Sequence, residues 1–435
     1  MATPGADDLD RRIAALEDEL ARLKTQRLQQ QGRKPKPLDG IRVLDMSRFI
    51  FGPFCAQMLA DMGADVIKLE PRGSGDPARG AGNVEVAGGI SPSFLARNRN
   101  KRSLAMDMRK PEAQEIALKL ALQSDVILHN FRPGIMGRMG LDAKQLLKQN
   151  PRLIYLSLSG YGQTGPMVDW PGQDLLIQAM SGIVAMTGWE GGPPTTVGTY
   201  VADVTGAMIA AYSVTTALCA RAQYGMGQEV EVNLLDSLIT LQAMDATVYL
   251  NSGEVPPKSG SGHWLLPPPY GVFHTQDKDM VVNAHSDAWW PRLCRAVEFA
   301  HLEHDPSFAT RQARTENRDL LISILQEIMF TKTREEWLTY LGQYDVLCAP
   351  VYDYAELFAD AQVKHNGIVA EQHHPVAGPI RVIGIPVKLS ETPGDVGAAA
   401  PLLGEHTRDI LQELGYDGAT IDRLRQDHVV DIFEG

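Results

Sequence analysis

Apolar positions along the chain follow two different periods. Near the start, Leu9, Ile13, Leu16, Leu20 and Leu23 are spaced four, three, four and three apart, which places them on one stripe of a helix. So short a repeat suits a brief coiled coil or a solitary amphipathic helix, and leaves both open. Residues 29–36 are polar, and Pro35 and Pro37 discourage helix, so 1–36 reads as a helix with a linker. The pattern then changes. Residues 41–46 form a short apolar run of strand type, 54–62 have helical character and 64–69 are strand-like again, which makes a βαβ unit. Helical 112–123, followed by strand-like 125–129 and 153–157, continues the alternation of a parallel sheet with helices on both faces.

Small residues from 207 to 222 predict a long helix, which Gly225-Met226-Gly227-Gln228 breaks before strand-like 230–235. Beyond about Gly253, Pro and Gly accumulate, with Pro256, Pro257, Gly260, Gly262 and three prolines at 267–269. The expected division is therefore a large domain over 37–235 and a linker with a small domain over 236–351. The large domain reads as α/β and Rossmann-like. No Gly-x-Gly-x-x-Gly follows the first strand, so nothing supports dinucleotide binding.

Composition narrows the function classes. With 44% apolar residues among 435, two or three domains can each bury a sizeable core. A formal net charge of -12 argues against nucleic acid as the main partner, because phosphate backbones are held by basic surface. Cys55, Cys219, Cys294 and Cys348 are scattered without paired spacing, which suggests neither disulfides nor zinc and fits a reduced cytoplasm. Asp7, Asp8 and Asp10 stand where a signal peptide would be basic and then apolar. No apolar run is read as long enough to span a bilayer, so a soluble protein without membrane association is expected. His373-His374 and the other histidines lack metal-ligand spacing, and no metal is expected.

The most informative single residue is Asp203, in the run Val197-Gly198-Thr199-Tyr200-Val201-Ala202-Asp203-Val204-Thr205-Gly206. Small and β-branched neighbours solvate a carboxylate poorly, which can hold it ready as a nucleophile. The same residue type before a helix is also a common N-cap, and the run alone leaves both roles open.

Several motifs occur in a telling order. They are Pro37-Leu38-Asp39-Gly40-Ile41, Gly52-Pro53, Leu59-Ala60-Asp61-Met62-Gly63-Ala64-Asp65-Val66-Ile67-Lys68, Asn98-Arg99-Asn100-Lys101-Arg102-Ser103, Asn130-Phe131-Arg132-Pro133-Gly134, Ser159-Gly160-Tyr161-Gly162-Gln163-Thr164-Gly165-Pro166 and Pro401-Leu402-Leu403-Gly404-Glu405-His406-Thr407. From Pro37 to the C-terminus the chain resembles the class III CoA-transferases, the superfamily of formyl-CoA transferase, crotonobetainyl-CoA:carnitine CoA-transferase and acyl-CoA racemases. The resemblance implies that the chain returns to the large domain over 352–435 and that two copies form an interlocked homodimer. It also implies coenzyme A thioesters and free carboxylic acids as substrates, with no permanently bound cofactor.

By the same resemblance Asp203 is the nucleophile, passing through a mixed anhydride and an aspartyl-CoA thioester. Asp174, in Pro171-Gly172-Gln173-Asp174, matches a conspicuous acid near the active centre, and an N-cap is its other reading. The racemase branch carries a histidine where this chain has Gln173, and an amide cannot serve as a base. That disfavours a racemase or isomerase, while the retained Asp203 disfavours a CoA-binding protein without turnover. For CoA, position in the matched motifs points to Arg72, Arg109 and Arg138 on the phosphates and to Met106, Asn130, Phe131 and Met139 along the adenine and pantetheine path. Ile50 and Phe51 would face the acyl end. The formyl-CoA:oxalate branch has glutamine at the position of Ile50 and tryptophan near Ala81, so a larger or less polar acid than oxalate is expected. Ser259-Gly260-Ser261-Gly262 loosely resembles that branch's mobile glycine loop, and also reads as a plain linker. His406 is expected to be structural.

Overall fold

The structure, a computed structural model, describes residues 11–12, 14–16, 18–20, 22–23, 25–26, 34–82 and 84–433. Of the leucine stripe, Leu9 and Ile13 lie outside the described residues, while Leu16, Leu20 and Leu23 are helical and exposed. The chain divides into two compact units, 1–171 with 203–233 and 367–435, and 172–202 with 234–366. The segment 172–202 thus groups with the second unit, and the return to the first comes at Gly367, later than the expected 352.

The first unit is built on a seven-stranded sheet. Its strands are β1 (Arg42–Asp45), β2 (Asp65–Pro71), β3 (Lys101–Met106), β4 (Val126–His129), β5 (Ile154–Ser159), β6 (Gln228–Asn233) and, near the end of the chain, β12 (Val430–Asp431). They are arranged β12-β3-β2-β1-β4-β5-β6, with β1 to β6 parallel and β12 antiparallel to β3. Central strands are buried on both faces, which is why they read as continuous apolar runs and not as alternating ones. Leu44, Ile67, Leu104 and Ile127 are wholly buried beneath Ala113, Ile116, Ala117 and Leu120 of helix Pro111–Leu122. That helix opens on Pro111 and carries Glu112 in its first turn and Lys119 in its last, the arrangement favoured by its dipole. Strand β10 (Val369–His374) and strand β11 (Gly378–Ile383) add an antiparallel hairpin.

The long helix is Val201–Tyr224, six residues earlier at its start than the small-residue run indicates. By length and apolar content it could cross a bilayer, which the sequence reading missed. Its Ala207, Ala210, Val214, Ala217 and Arg221 are buried at spacings of three and four, as in a helix packed on a core. The guanidinium of Arg221 lies 2.9 Å from Asp125. Gly227 is required where β6 begins, because a Cβ there would meet the Leu153 carbonyl oxygen at 2.0 Å.

The second unit holds a three-stranded antiparallel sheet of β7 (Tyr270–His274), β8 (Asp279–Asn283) and β9 (Leu347–Pro350), in that order. Phe273, Met280 and Val282 point into a core with Trp290, Leu293, Leu321, Leu325, Trp337 and Leu341.

At the end of β1, within β2 and at the start of β3 of the first unit lies a cluster of fully buried charges. Lys101 spends its three donors on Asp45 (2.9 Å), the Pro53 carbonyl (2.8 Å) and Asn98 (2.9 Å). Lys68 donates to the Ser47 carbonyl and pairs with Asp76, both at 2.9 Å. Glu70 accepts both arms of Arg79 at 2.8 Å, the Asp76 N–H and the Ser103 hydroxyl. Asp45 is held below the ordinary carboxylate range by Lys101, Lys68 and the Ser47 hydroxyl, against the opposing effect of burial. Buried charges are tolerable only when opposite charges lie this close. Lys101→Met strips Asp45 of its nearest cation and should cost about 3–5 kcal/mol, read by urea unfolding. A loss below about 1 kcal/mol would show that the cluster does not hold the sheet together.

Candidate active site

The first unit has a cavity of about 580 Å³ where the carboxyl ends of its strands open. The connections run outward from β1 through β2 and β3 on one side and start again from β4 on the other. Ligands of open α/β sheets bind in the crevice at such a reversal of strand order. Met46 and Arg48 follow β1, Leu69 and Arg72 belong to the end of β2, Met106 to Arg109 follow β3, and Phe131 follows β4.

Six of the residues expected to hold CoA line this cavity: Arg72, Met106, Arg109, Phe131, Arg138 and Met139. Asn130 stands beside it and works on the backbone. Its side-chain oxygen accepts the Arg48 N–H and its amide donates to the Arg48 carbonyl, both at 2.9 Å, so the segment after β1 is tied to the end of β4. Ile50 and Phe51 do not line it. Both are buried at the start of helix Phe51–Asp61, where Gly52 packs so tightly against Ser47 that a Cβ would approach within 2.2 Å.

The cations of the wall differ in state. The Arg109 side chain is 90% exposed and lies back on Asp107 at 2.8 Å, holding that carboxyl at about 2. Arg72 Nε is 2.7 Å from Asp431 of β12, and a terminal nitrogen is 3.1 Å from His428 Nδ1. Arg138 is exposed at the end of the short helix Ile135–Arg138. Arg48, which sequence reasoning did not single out, is half-buried with its guanidinium 4.9 Å from the centre of the Phe131 ring.

In the second unit, Asp174 is not an N-cap. Gln173 occupies the cap position, exposed and without a side-chain capping bond, and Asp174 is the first residue of helix Asp174–Met180. Asp174 is 8% exposed and accepts the Ala202 N–H at 2.7 Å and the Gln178 amide at 2.6 Å. Gln178, 2% exposed, also accepts the Val197 N–H at 2.9 Å and donates to the Thr199 carbonyl at 3.3 Å. Together they fasten the segment that runs directly into Asp203. Asp203 itself is the third residue of helix Val201–Tyr224, inside the first turn and half-buried, which sets aside the N-cap role. At that place the helix dipole favours the ionised carboxylate. Gln178 could have been found from its spacing of four from Asp174. Arg48 carried no such signal.

The 259–262 stretch is tied within the second unit. Ser259 and Gly260 donate backbone N–H groups to the Met186 and Gly188 carbonyls at 3.3 and 3.0 Å. Among the described residues no group of three or more His, Cys, Asp and Glu side chains is placed to hold a metal. His406 accepts the Ser103 N–H at Nδ1 and its own backbone N–H donates to the Ser103 carbonyl, so the tail motif docks on β3.

His129, at the end of β4, is 3% exposed, and burial pushes it down to about 4. Its Nδ1 accepts the Phe131 N–H at 3.3 Å, which leaves the proton on Nε2, 3.2 Å from the Ser157 hydroxyl. In the unfolded chain the ring titrates near about 6.5. The unfolded chain therefore takes up the proton first, and stability falls as pH drops from about 6.5 towards about 4. His129→Gln should lower that slope by up to about one proton's worth, measured as urea midpoint against pH. The remainder comes from His285, His374 and His406, which burial also lowers, and, towards the acid end, from carboxylates held low by their partners such as Asp107. An unchanged slope would contradict this reading of His129.

Comparison with known proteins gives a consistent picture. The profile of CoA-transferase family III matches residues 38–407. A succinyl-CoA:glutarate CoA-transferase of Mus musculus is 35% identical over 404 residues, covering 92% of this chain and 91% of that protein. A succinyl-CoA--D-citramalate CoA-transferase of Chloroflexus aurantiacus is 36% identical over 386 residues, covering 88% and 95%. The crystal structure of a CAIB/BAIF family protein from Brucella suis superposes with a TM-score of 0.79 at 32% identity, over 88% of this chain and all of that one. With a parallel sheet of the same architecture and a match spanning most of its length, the chain belongs to CoA-transferase family III.

Proposed function

We propose that this protein moves CoA from a short dicarboxylic acyl-CoA, of which succinyl-CoA is the first candidate, to a second short dicarboxylic acid, with Asp203 as nucleophile. The observation that carries the reading is the place of Asp203, in the first turn of a 24-residue helix whose entry is held by Asp174 and Gln178. The substrate class is suggested by the names of the two relatives, each of which uses succinyl-CoA.

The Asp203 carboxylate attacks the thioester carbonyl, the C–S bond breaks, and the CoA thiolate leaves a mixed anhydride. The thiolate then attacks the aspartyl carbonyl, releasing the donor acid and leaving an aspartyl-CoA thioester. The acceptor carboxylate attacks that thioester, expels the thiolate and forms a second anhydride, and the thiolate takes the acyl group to regenerate Asp203. Water enters at no step, so the thioester energy is kept. The nucleotide and pantetheine of CoA occupy the cavity of the first unit. Gln173 can hydrogen-bond but supplies no base, which separates the reading from racemisation. The reading includes a cytoplasmic homodimer, supported by the exposed Met208 and Tyr212 on helix Val201–Tyr224.

Asp203→Ala should remove transfer between succinyl-CoA and glutarate while CoA still binds. In the native enzyme mixed with succinyl-CoA, mass spectrometry should find CoA attached to the peptide containing Asp203; transfer by the variant at native rate would refute the assignment. Gln178→Ala frees the segment before Asp203 and should lower kcat roughly ten- to a hundredfold with CoA affinity unchanged. A variant that loses affinity and keeps kcat would place Gln178 in binding and not in positioning.

A further inference from the structure

Taking the CoA cavity of the proposed function as given, we infer that Arg48 is a phosphate-binding residue of that cavity, held ready by the Asn130 backbone clamp and the face of Phe131. An arginine serves as an oxyanion receptor when its fork is free and its position fixed. Two of the four cavity arginines are already engaged, Arg109 with Asp107 at 2.8 Å and Arg72 with Asp431 at 2.7 Å. Each must give up or share a carboxylate to receive a phosphate. Among the described residues no side chain or carbonyl accepts a hydrogen bond from the Arg48 guanidinium; Asp76 acts on it electrostatically, but its carboxylate is paired with Lys68.

Its position is nonetheless fixed. Both backbone polar groups of Arg48 are bonded to the Asn130 side chain, and its guanidinium rests over Phe131, the next residue along from that clamp. Clamp and ring follow β4 while Arg48 follows β1, so the group stands where the strand order reverses, the crevice in which such sheets bind ligands. An arginine stacked on an aromatic ring in a half-buried wall keeps its five donors in one plane, and one edge of that plane is left for a ligand. Arg138 has the same charge but is exposed on the rim.

Calorimetric titration of the full-length enzyme with CoA, 3′-dephospho-CoA and pantetheine tests the assignment without requiring turnover. Arg48→Met should weaken CoA roughly ten- to a hundredfold, the range of a charged hydrogen bond, and leave pantetheine within about twofold. Arg48→Lys, which keeps the charge and loses the planar fork, should recover part of the loss. A loss that persists with 3′-dephospho-CoA assigns Arg48 to the diphosphate, and a loss confined to CoA assigns it to the 3′-phosphate. An equal loss on pantetheine, or none on CoA, overturns the inference while leaving the cavity assignment in place. Failure of the native enzyme itself to bind CoA would overturn both.

Discussion

The rest of the first unit depends on the charge buried at the end of β1, within β2 and at the start of β3. Asp45, Lys68, Glu70, Asp76 and Lys101 are all within 2% of complete burial, a state that water would oppose strongly were any of them unmatched. Because Lys101 and Lys68 reach carbonyls of Pro53 and Ser47 as well as carboxylates, the cluster fixes main chain along with side chains. The loop between β1 and helix Phe51–Asp61 therefore has little freedom. That loop carries Arg48, and its outer side is tied again by Asn130. An inner ionic anchor and an outer amide clamp thus hold the same few residues.

The cavity wall and the segment leading to residue 203 are held in different ways. In the cavity wall, opposite charges already in place on the protein hold Arg109 and Arg72. Around residue 200 the hold is a matter of backbone. Asp174 supplies the acceptor for an N–H at the start of the long helix, one of the donors a helix cannot satisfy internally. A carboxylate bonded in this way is committed to holding the chain.

Much of this was legible in the sequence, for identifiable reasons. Strands β1, β2, β4 and β5 are buried on both faces and announce themselves as apolar runs, and the breaker Gly225-Met226-Gly227-Gln228 marks a real close approach at Gly227. Strand β3 was not read from the sequence because it opens on the polar Lys101, Arg102 and Ser103, whose burial, with Lys101 paired to Asp45, no local pattern announces. The start of the long helix was placed late because Val201, Val204 and Thr205 are β-branched and weigh against helix locally, and Asp174 and Gln178, distant in sequence, decide otherwise. Arg48 could not be seen at all, since its significance comes from a ring and an amide some 80 residues away. The motifs pointed to six residues of the cavity wall but not to Arg48, and not to which of the wall's cations are already engaged.

The tail that docks on β3 has a consequence for how the protein is made. Ser103 and Ala105 are bonded to Gly404, His406 and Thr407, and β12 pairs with the outer edge of β3 from about 325 residues further along the chain. During synthesis the edge of the growing sheet has no neighbour on that side until more than 300 further residues have followed β3 out of the ribosome. An open parallel-sheet edge is adhesive towards other chains, and contacts closed over so long a loop form slowly. The sheet must therefore wait, part-built and in need of shielding, for its last strand.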